Sequence, residues 1–351
     1  MRSLGAQVEG ISTQVDKVRR FYELLELPNK IEDGHIPFPE NQMDLSQGIS
    51  VEFKNVSFSY SDSDKPELAL KNTSFKIEQG QLCVIVGENG SGKSTILNLI
   101  TRIYDVTEGE ILLNGLDIRT LKLADVRKAI AVLFQEYSIF PLTVSLLPSL
   151  ARPLSLTYYM KLGQNIGYGD PQHAEDMDKI EQAAKLGGAE FISTLPCKFD
   201  HFVQRPVWEY SSADPTGNSV FAGKEVDFSK LKLNDQMRDF SGGQKQRIAL
   251  SRTFMKSLVS PSSNVGMLLF DEPSASLDPK AEHDLFTRLR ELRGSKTMIF
   301  SSHRFGKLTR HADLILYIDK GEVLEAGNHV NLMKKNGEYA KFWNLQAQDF
   351  L

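Results

Sequence analysis

Residues 87–94 read GENGSGKS, and this octapeptide restricts the fold more than any other stretch of the chain. It fits G-x-x-x-x-G-K-[ST] through Gly87, Gly92, Lys93 and Ser94. Glycines let consecutive backbone N–H groups curl around phosphate oxygens, and a helix starting at once adds the positive end of its dipole. Such a loop works only between a buried strand and a helix. LCVIV (82–86) supplies the short apolar strand, and the stretch from Ser94 to Ile103 reads as helical. With 25 glycines in 351 residues, a chance match arises in roughly one such chain per hundred. In this loop Lys93 reaches the β/γ-phosphates and Ser94 offers a hydroxyl to Mg²⁺; Asn89, Gly90, Ser91 and Thr95 complete the cradle.

Further apolar runs repeat the strand theme: MLLF (267–270), TMIFSS (297–302) and DLILYI (313–318), with a helical stretch from Ala281 to Arg293 between the first two. Strands alternating with helices predict a mostly parallel sheet covered by helices. Upstream, SVEFKNVSFSY is strongly β-prone through Val51, Phe53, Phe58 and Tyr60, although Val56 breaks strict alternation. The strand MLLF ends in Asp271 and Glu272. After a phosphate loop, the first of these carboxylates suits Mg²⁺ and the second suits polarising an attacking water.

The N-terminal segment 1–27 carries Val8, Ile11, Val15, Val18, Tyr22 and Leu25 at spacings of three and four, one amphipathic helix ended by Pro28. Residues 28–49, rich in Pro and Gly, read as a linker, and the main domain as 50–351. The net charge of −4 advertises no broad basic surface for nucleic acid, and two cysteines, Cys83 and Cys197, make no disulfide framework. No stretch spans a membrane: the longest uncharged one, Tyr137–Ala151, contains Pro141 and Pro148.

A second anion-binding helix start is written in FSGGQKQRIALSRT (240–253), where Ser241, Gly242 and Gly243 precede Gln244 some 30 residues before the Asp-Glu pair. This combination resembles the ATP-binding cassette family, whose signature is LSGGQ; here Phe240 stands in place of the leucine. The resemblance covers about 50–144, 164–200 and 240–351. It implies an α/β phosphate-loop NTPase core of mostly parallel sheet flanked by helices, with an antiparallel β subdomain and a helical subdomain at about 136–240. It also implies that Tyr60 stacks on adenine, that Gln135 senses Mg²⁺ and the attacking water, and that Asp278 in SASLDP lies at a dimer interface. His303 is implied to contact the γ-phosphate. His311 and His329 have no such register and read as surface residues. The ligands implied are ATP and Mg²⁺.

Two stretches depart from the family pattern. Ser145–Gly163 intervene between FPLTV and QNIGYGD, as an unspliced intron or a genuine loop insertion; Val144-Ser145 can encode a splice donor, and sequencing the mature transcript decides. Residues 205–239 replace a short family segment and, with SSADPTGNS, read as an exposed excursion.

The N-terminal helix and the closing GEVLEAGNHVNLMKKNGEYAKFWNLQ resemble the flanks of an exporter-type cassette. The expected function is therefore ATP binding and hydrolysis on the cytoplasmic side of a membrane. The expected partners are a second nucleotide-binding domain, joined head to tail, and transmembrane domains supplied upstream or by another chain, with no nucleic acid. A soluble cassette ATPase and a truncated transporter remnant are the alternatives. The absence of a long coiled coil between the ATP motifs opposes the first, and the intact Lys93, Asp271, Glu272 and His303 oppose the second.

Overall fold

The computed structural model describes residues 18–19, 22–23, 29–39, 45–60, 67–136, 138–140, 160–203, 218–221, 224–227, 237–238, 240–259, 264–273, 277, 279–303 and 307–348. Strands buried on both faces place two layers around one sheet. The six-stranded central sheet has the order β14-β13-β3-β12-β11-β6, formed by β3 (Leu82–Val86), β6 (Ile130–Leu133), β11 (Met267–Asp271), β12 (Thr297–Ser302), β13 (Leu314–Asp319) and β14 (Glu322–Gly327). All neighbours are parallel except β13 and β14, which form an antiparallel hairpin at one edge.

Every residue of β3 and β11 is buried, as a strand covered on both faces requires. Odd and even positions serve different cores. Cys83, Ile85, Met267, Leu269 and Ile299 enter one cluster; Leu82, Val84, Leu268, Phe270, Met298 and Phe300 enter the other. The first core lies against α1 (Lys93–Ile100) and a four-stranded antiparallel sheet, β2-β1-β4-β5, made of β1 (Val51–Phe58), β2 (Leu70–Ile77), β4 (Glu108–Leu113) and β5 (Leu116–Asp117). The irregularity at Val56 is real: pairing slips on both of its sides, and Asn55 adopts φ 50°.

Burial in the first core pushes the Cys83 thiol well above its usual range, which makes it an inert packing residue. The second core lies under α6 (Pro279–Leu292), α7 (Lys307–Arg310), α8 (His329–Lys335) and α9 (Glu338–Gln348). A third cluster holds the helical subdomain, formed by α3 (Leu162–Gly167), α4 (Met177–Leu186) and one face of α5 (Gly242–Phe254). Helix α5 serves two cores, giving Ile248 to the third cluster and Ala249, Leu250 and Phe254 to the second.

The segment expected as a linker is part of the fold where it is described. Phe38, Leu45 and Ile49 are buried, and Ile36 pairs with Leu121. Its anchor is Arg102, a fully buried side chain whose Nη2 donates to the Glu32 carbonyl at 2.6 Å and whose Nε donates to Asp105 at 2.8 Å. Asp33 then accepts from the backbone N–H of Leu123, which opens α2 (Leu123–Ala129). The bonds from Arg102 to Glu32 and from Leu123 to Asp33 span some 70 to 90 positions, so the described part of 28–49 packs against the main domain.

The helix after the phosphate loop ends earlier than Ile103, since Arg102 takes a left-handed φ of 50°. Met160, Leu162 and Gly163, expected within an insertion, are buried, and the last two start α3. Within the expected excursion, β8 (Asn218–Phe221) and β9 (Lys224–Asp227) form a hairpin. There too β10 (Met237–Arg238) pairs in parallel with β7 (Phe202–Val203). Of the N-terminal helix, Val18, Arg19, Tyr22 and Glu23 are described, all helical and exposed; the rest, like residues 145–159, lies outside the described residues. His311 is exposed as expected, but His329 is half-buried, its Nδ1 2.8 Å from the Tyr339 hydroxyl. Among the described residues no helix is long and apolar enough to cross a membrane.

Candidate active site

The loop from Val86 to Lys93 is shaped by what surrounds it. A Cβ on Gly87 would stand 2.1 Å from the Ile318 carbonyl oxygen, and one on Gly92 would stand 2.8 Å from the Ala69 carbonyl oxygen. Gly92 also holds φ 105°, a conformation closed to L side chains. The N–H of Gly321, in the β13–β14 turn, donates to the Ser91 carbonyl at 3.1 Å and fixes the loop from behind. Asn89 and Gly90 stand exposed at the tip.

Lys93 is buried at the start of α1, and its ammonium donates to the Gly87 and Glu88 carbonyls at 2.9 and 2.8 Å. Burial pushes its pKa down, with Glu272 and Asp271 pulling the other way. One residue on, the Ser94 hydroxyl donates to Asp271 Oδ1 at 3.0 Å. The same oxygen accepts a short bond from the Ser301 hydroxyl. Burial nevertheless raises the pKa of Asp271, against these two bonds. Glu272 follows with φ 47°, a left-handed backbone rare for a residue with a side chain. Its N–H donates to the Ser301 carbonyl at 3.2 Å and to the Ser301 hydroxyl at 3.1 Å. The turn aims the carboxylate between Gln135, whose Nε2 donates to Oε2 at 3.4 Å, and His303, whose Nδ1 lies 3.0 Å from Oε1.

Phosphate loop, paired carboxylates, glutamine and histidine therefore come from four separate strand ends of one parallel sheet, β3, β6, β11 and β12, at the carboxyl edge where such sheets bind ligands. The Ser91 hydroxyl is buried against Gly87 without a hydrogen-bond partner, an orphan that a phosphate oxygen fits. Among the described residues no group of three or more His, Cys, Asp or Glu could hold a metal by itself. The pair Ser94–Asp271 suits Mg²⁺, which commonly takes one or two protein oxygens and completes its shell with phosphates and water.

Tyr60 stands beside this loop, 53% exposed, its hydroxyl 3.0 Å from that of Thr95 in α1. Tyr104 crosses it edge-on at 5.2 Å. The signature residues lie elsewhere. Ser241 caps α5 in a reciprocal box, accepting from the Gln244 N–H at 3.3 Å while its own N–H donates to Gln244 Oε1 at 3.0 Å. Phe240, in the leucine's place, is buried in the third cluster beside Phe191 and His201. Gly242 and Gly243 open the helix with little cover. Asp278 lies outside the described residues.

A family profile for ABC transporters matches residues 70–275. The chain belongs to the ABC transporter family. An "ATP-dependent lipid A-core flippase" of Haemophilus influenzae (strain 86-028NP) is 34% identical over 298 residues, 85% of this chain and 41% of that protein. The protein of the same name from strain ATCC 51907 is 32% identical over 99% of this chain and 48% of its own length. A solved bacterial Atm1-family ABC exporter with ATP bound matches with a TM-score of 0.69 and 29% identity, over 96% of this chain and 48% of that one. The chain thus spans under half the length of these relatives.

Three contributors escape motif reading in this ABC chain. Ser301 ties both carboxylate residues to β12, but a serine near a strand end carries no signal of its own. Gln246, buried in α5, donates to the Pro273 carbonyl at 2.7 Å and links the signature helix to the carboxylate turn. Tyr104 braces Tyr60, and no motif contains it.

Proposed function

We propose that this chain binds and hydrolyses Mg-ATP as the nucleotide-binding half of an exporter-type transporter, working in a head-to-tail dimer on the cytoplasmic side of a membrane. The observation that carries the reading is the convergence of Lys93, Ser94, Asp271, Glu272, Gln135 and His303 at one sheet edge. In this reading Lys93 exchanges its loop carbonyls for the β/γ-phosphates, and Tyr60 offers its exposed face to adenine. Ser94, Asp271 and Gln135 would hold Mg²⁺, which when bound would offset phosphate charge. Glu272 accepts the proton of the attacking water as the bond from the γ-phosphorus to its bridging oxygen breaks. Gln135 donates to that carboxylate from one side, and the His303 ring stands 3.0 Å from it on the other.

The helix start at Ser241 is built on the helical subdomain, apart from the loop at Gly87. A second protomer, meeting the first across the Asp278 region, supplies the missing half of each site. The membrane helices come from chain preceding these residues or from a partner. Hydrolysis measured against protein concentration tests this reading. Turnover per chain should climb through the dimer dissociation constant; a rate independent of concentration in chains shown to be monomeric contradicts it.

A further inference from the structure

Helix α9 is docked by a chain of specific contacts. Glu325 Oε1 accepts from the N–H of Glu338 at 2.7 Å and caps its start. Tyr339 is fully buried and meets His329. Phe342 packs toward Tyr317 with ring centroids 6.3 Å apart, and the Arg310 guanidinium lies 5.3 Å from the Trp343 ring centroid. In the next turn, Gln346 Nε2 donates to the backbone carbonyl of His303 at 2.9 Å, across 43 positions of sequence. His303 directly follows β12, and its ring stands 3.0 Å from the Glu272 carboxylate. The backbone that carries this ring is therefore gripped from the C-terminal helix.

We propose that Gln346 is a positioning residue: through the His303 carbonyl it sets where the imidazole stands relative to Glu272, and so makes hydrolysis depend on docked α9. The inference rests on the ATPase reading for its kinetic consequence, but not for its structural one. One hydrogen bond of ordinary strength changes a population by about threefold to tenfold. Gln346→Leu keeps the apolar stem and removes the donor. Gln346→Lys restores a donor at similar reach.

Two measurements on the full chain decide it. The first is nitrogen NMR of the imidazole rings of the seven histidines, with His303 assigned by its loss in His303→Ala. Gln346→Leu should move the His303 ring signals and Gln346→Lys should return them toward wild type; unmoved signals overturn the proposal whether or not the chain hydrolyses ATP. The second is steady-state hydrolysis. Gln346→Leu should lower kcat about threefold to tenfold with KM for ATP nearly constant. Added to His303→Ala it should cost nothing more. An equal further loss in that background means a general packing role and overturns the proposal. A wild-type chain without turnover sinks the ATPase reading alone, and the NMR result still decides the role of Gln346.

Discussion

The left-handed backbone of Glu272 allows stability and chemistry to be separated at one position. At φ 47° a side chain costs about 1–2 kcal/mol relative to a right-handed conformation, and glycine escapes most of that cost. Glycine also loses more freedom on folding, by about 0.5–1 kcal/mol against alanine. The balance leaves Glu272→Gly about 0.5–1 kcal/mol more stable than Glu272→Ala, the reverse of the order in a helix or strand. Glu272→Gln keeps shape, backbone strain and both N–H bonds to Ser301, since those use main-chain atoms. It should fold like the wild type and still bind ATP. Without a carboxylate to accept the proton, turnover should fall by roughly 10²–10⁴ in all three variants. Urea unfolding of the apo chains and phosphate release supply the two readouts. An alanine variant more stable than the glycine variant refutes the backbone argument. Wild-type turnover in Glu272→Gln removes this residue from the chemistry.

Lys93→Ala should weaken Mg-ATP binding by about tenfold to over a hundredfold, as titration with a fluorescent ATP analogue would show, because a charged hydrogen bond is worth ~1.5–3 kcal/mol. Burial raises the pKa of Asp271, so its ionisation costs the folded state stability that is present below the usual carboxylate range and lost as pH rises through the raised value. Asp271→Asn, whose Oδ1 still accepts from Ser94 and Ser301, should therefore melt higher than wild type at neutral pH without nucleotide. That gain should shrink in acid, while hydrolysis is lost at all pH; a melting point unchanged or lowered at neutral pH counts against it. Mixing Lys93→Ala with Ser241→Arg chains should restore part of the activity that neither has alone, because one of the two shared sites is then intact. No recovery in a mixture shown to contain heterodimers would rule out a shared site.

What the sequence made legible was chemistry of residue type at fixed spacing. GENGSGKS and the Asp-Glu pair are legible in that way, whereas Gln135 and His303 are singled out only by the family resemblance; in the structure all of them stand at one sheet edge. The buried strands were equally plain, since runs such as LCVIV have no polar face. Contacts reaching across the chain were not. The hydroxyl of Thr297 accepts from the N–H of Ile49 at 3.0 Å across 248 positions, and no local pattern near Ile49 announces it. The prolines of 28–49 looked like a linker because composition reports backbone stiffness and says nothing of Phe38 finding a core. His329 looked like a surface residue because its partners, Tyr339 and Trp343, are recruited by the turn between α8 and α9.

The two faces of α5 carry the remaining consequence. Its N-terminus presents the Ser241 glycines, one flank packs into the helical subdomain, and the other packs under the central sheet. Gln246 ties this helix to Pro273, one residue beyond Glu272, so within a chain the signature and the carboxylate turn are held together by a buried bond. If the signature of one protomer reads the nucleotide on its partner, then closing on that nucleotide presses on α5, and α5 presses on the Glu272 of its own chain. Communication between two distant nucleotides then needs no separate relay. It needs only that α5 move as a rigid body.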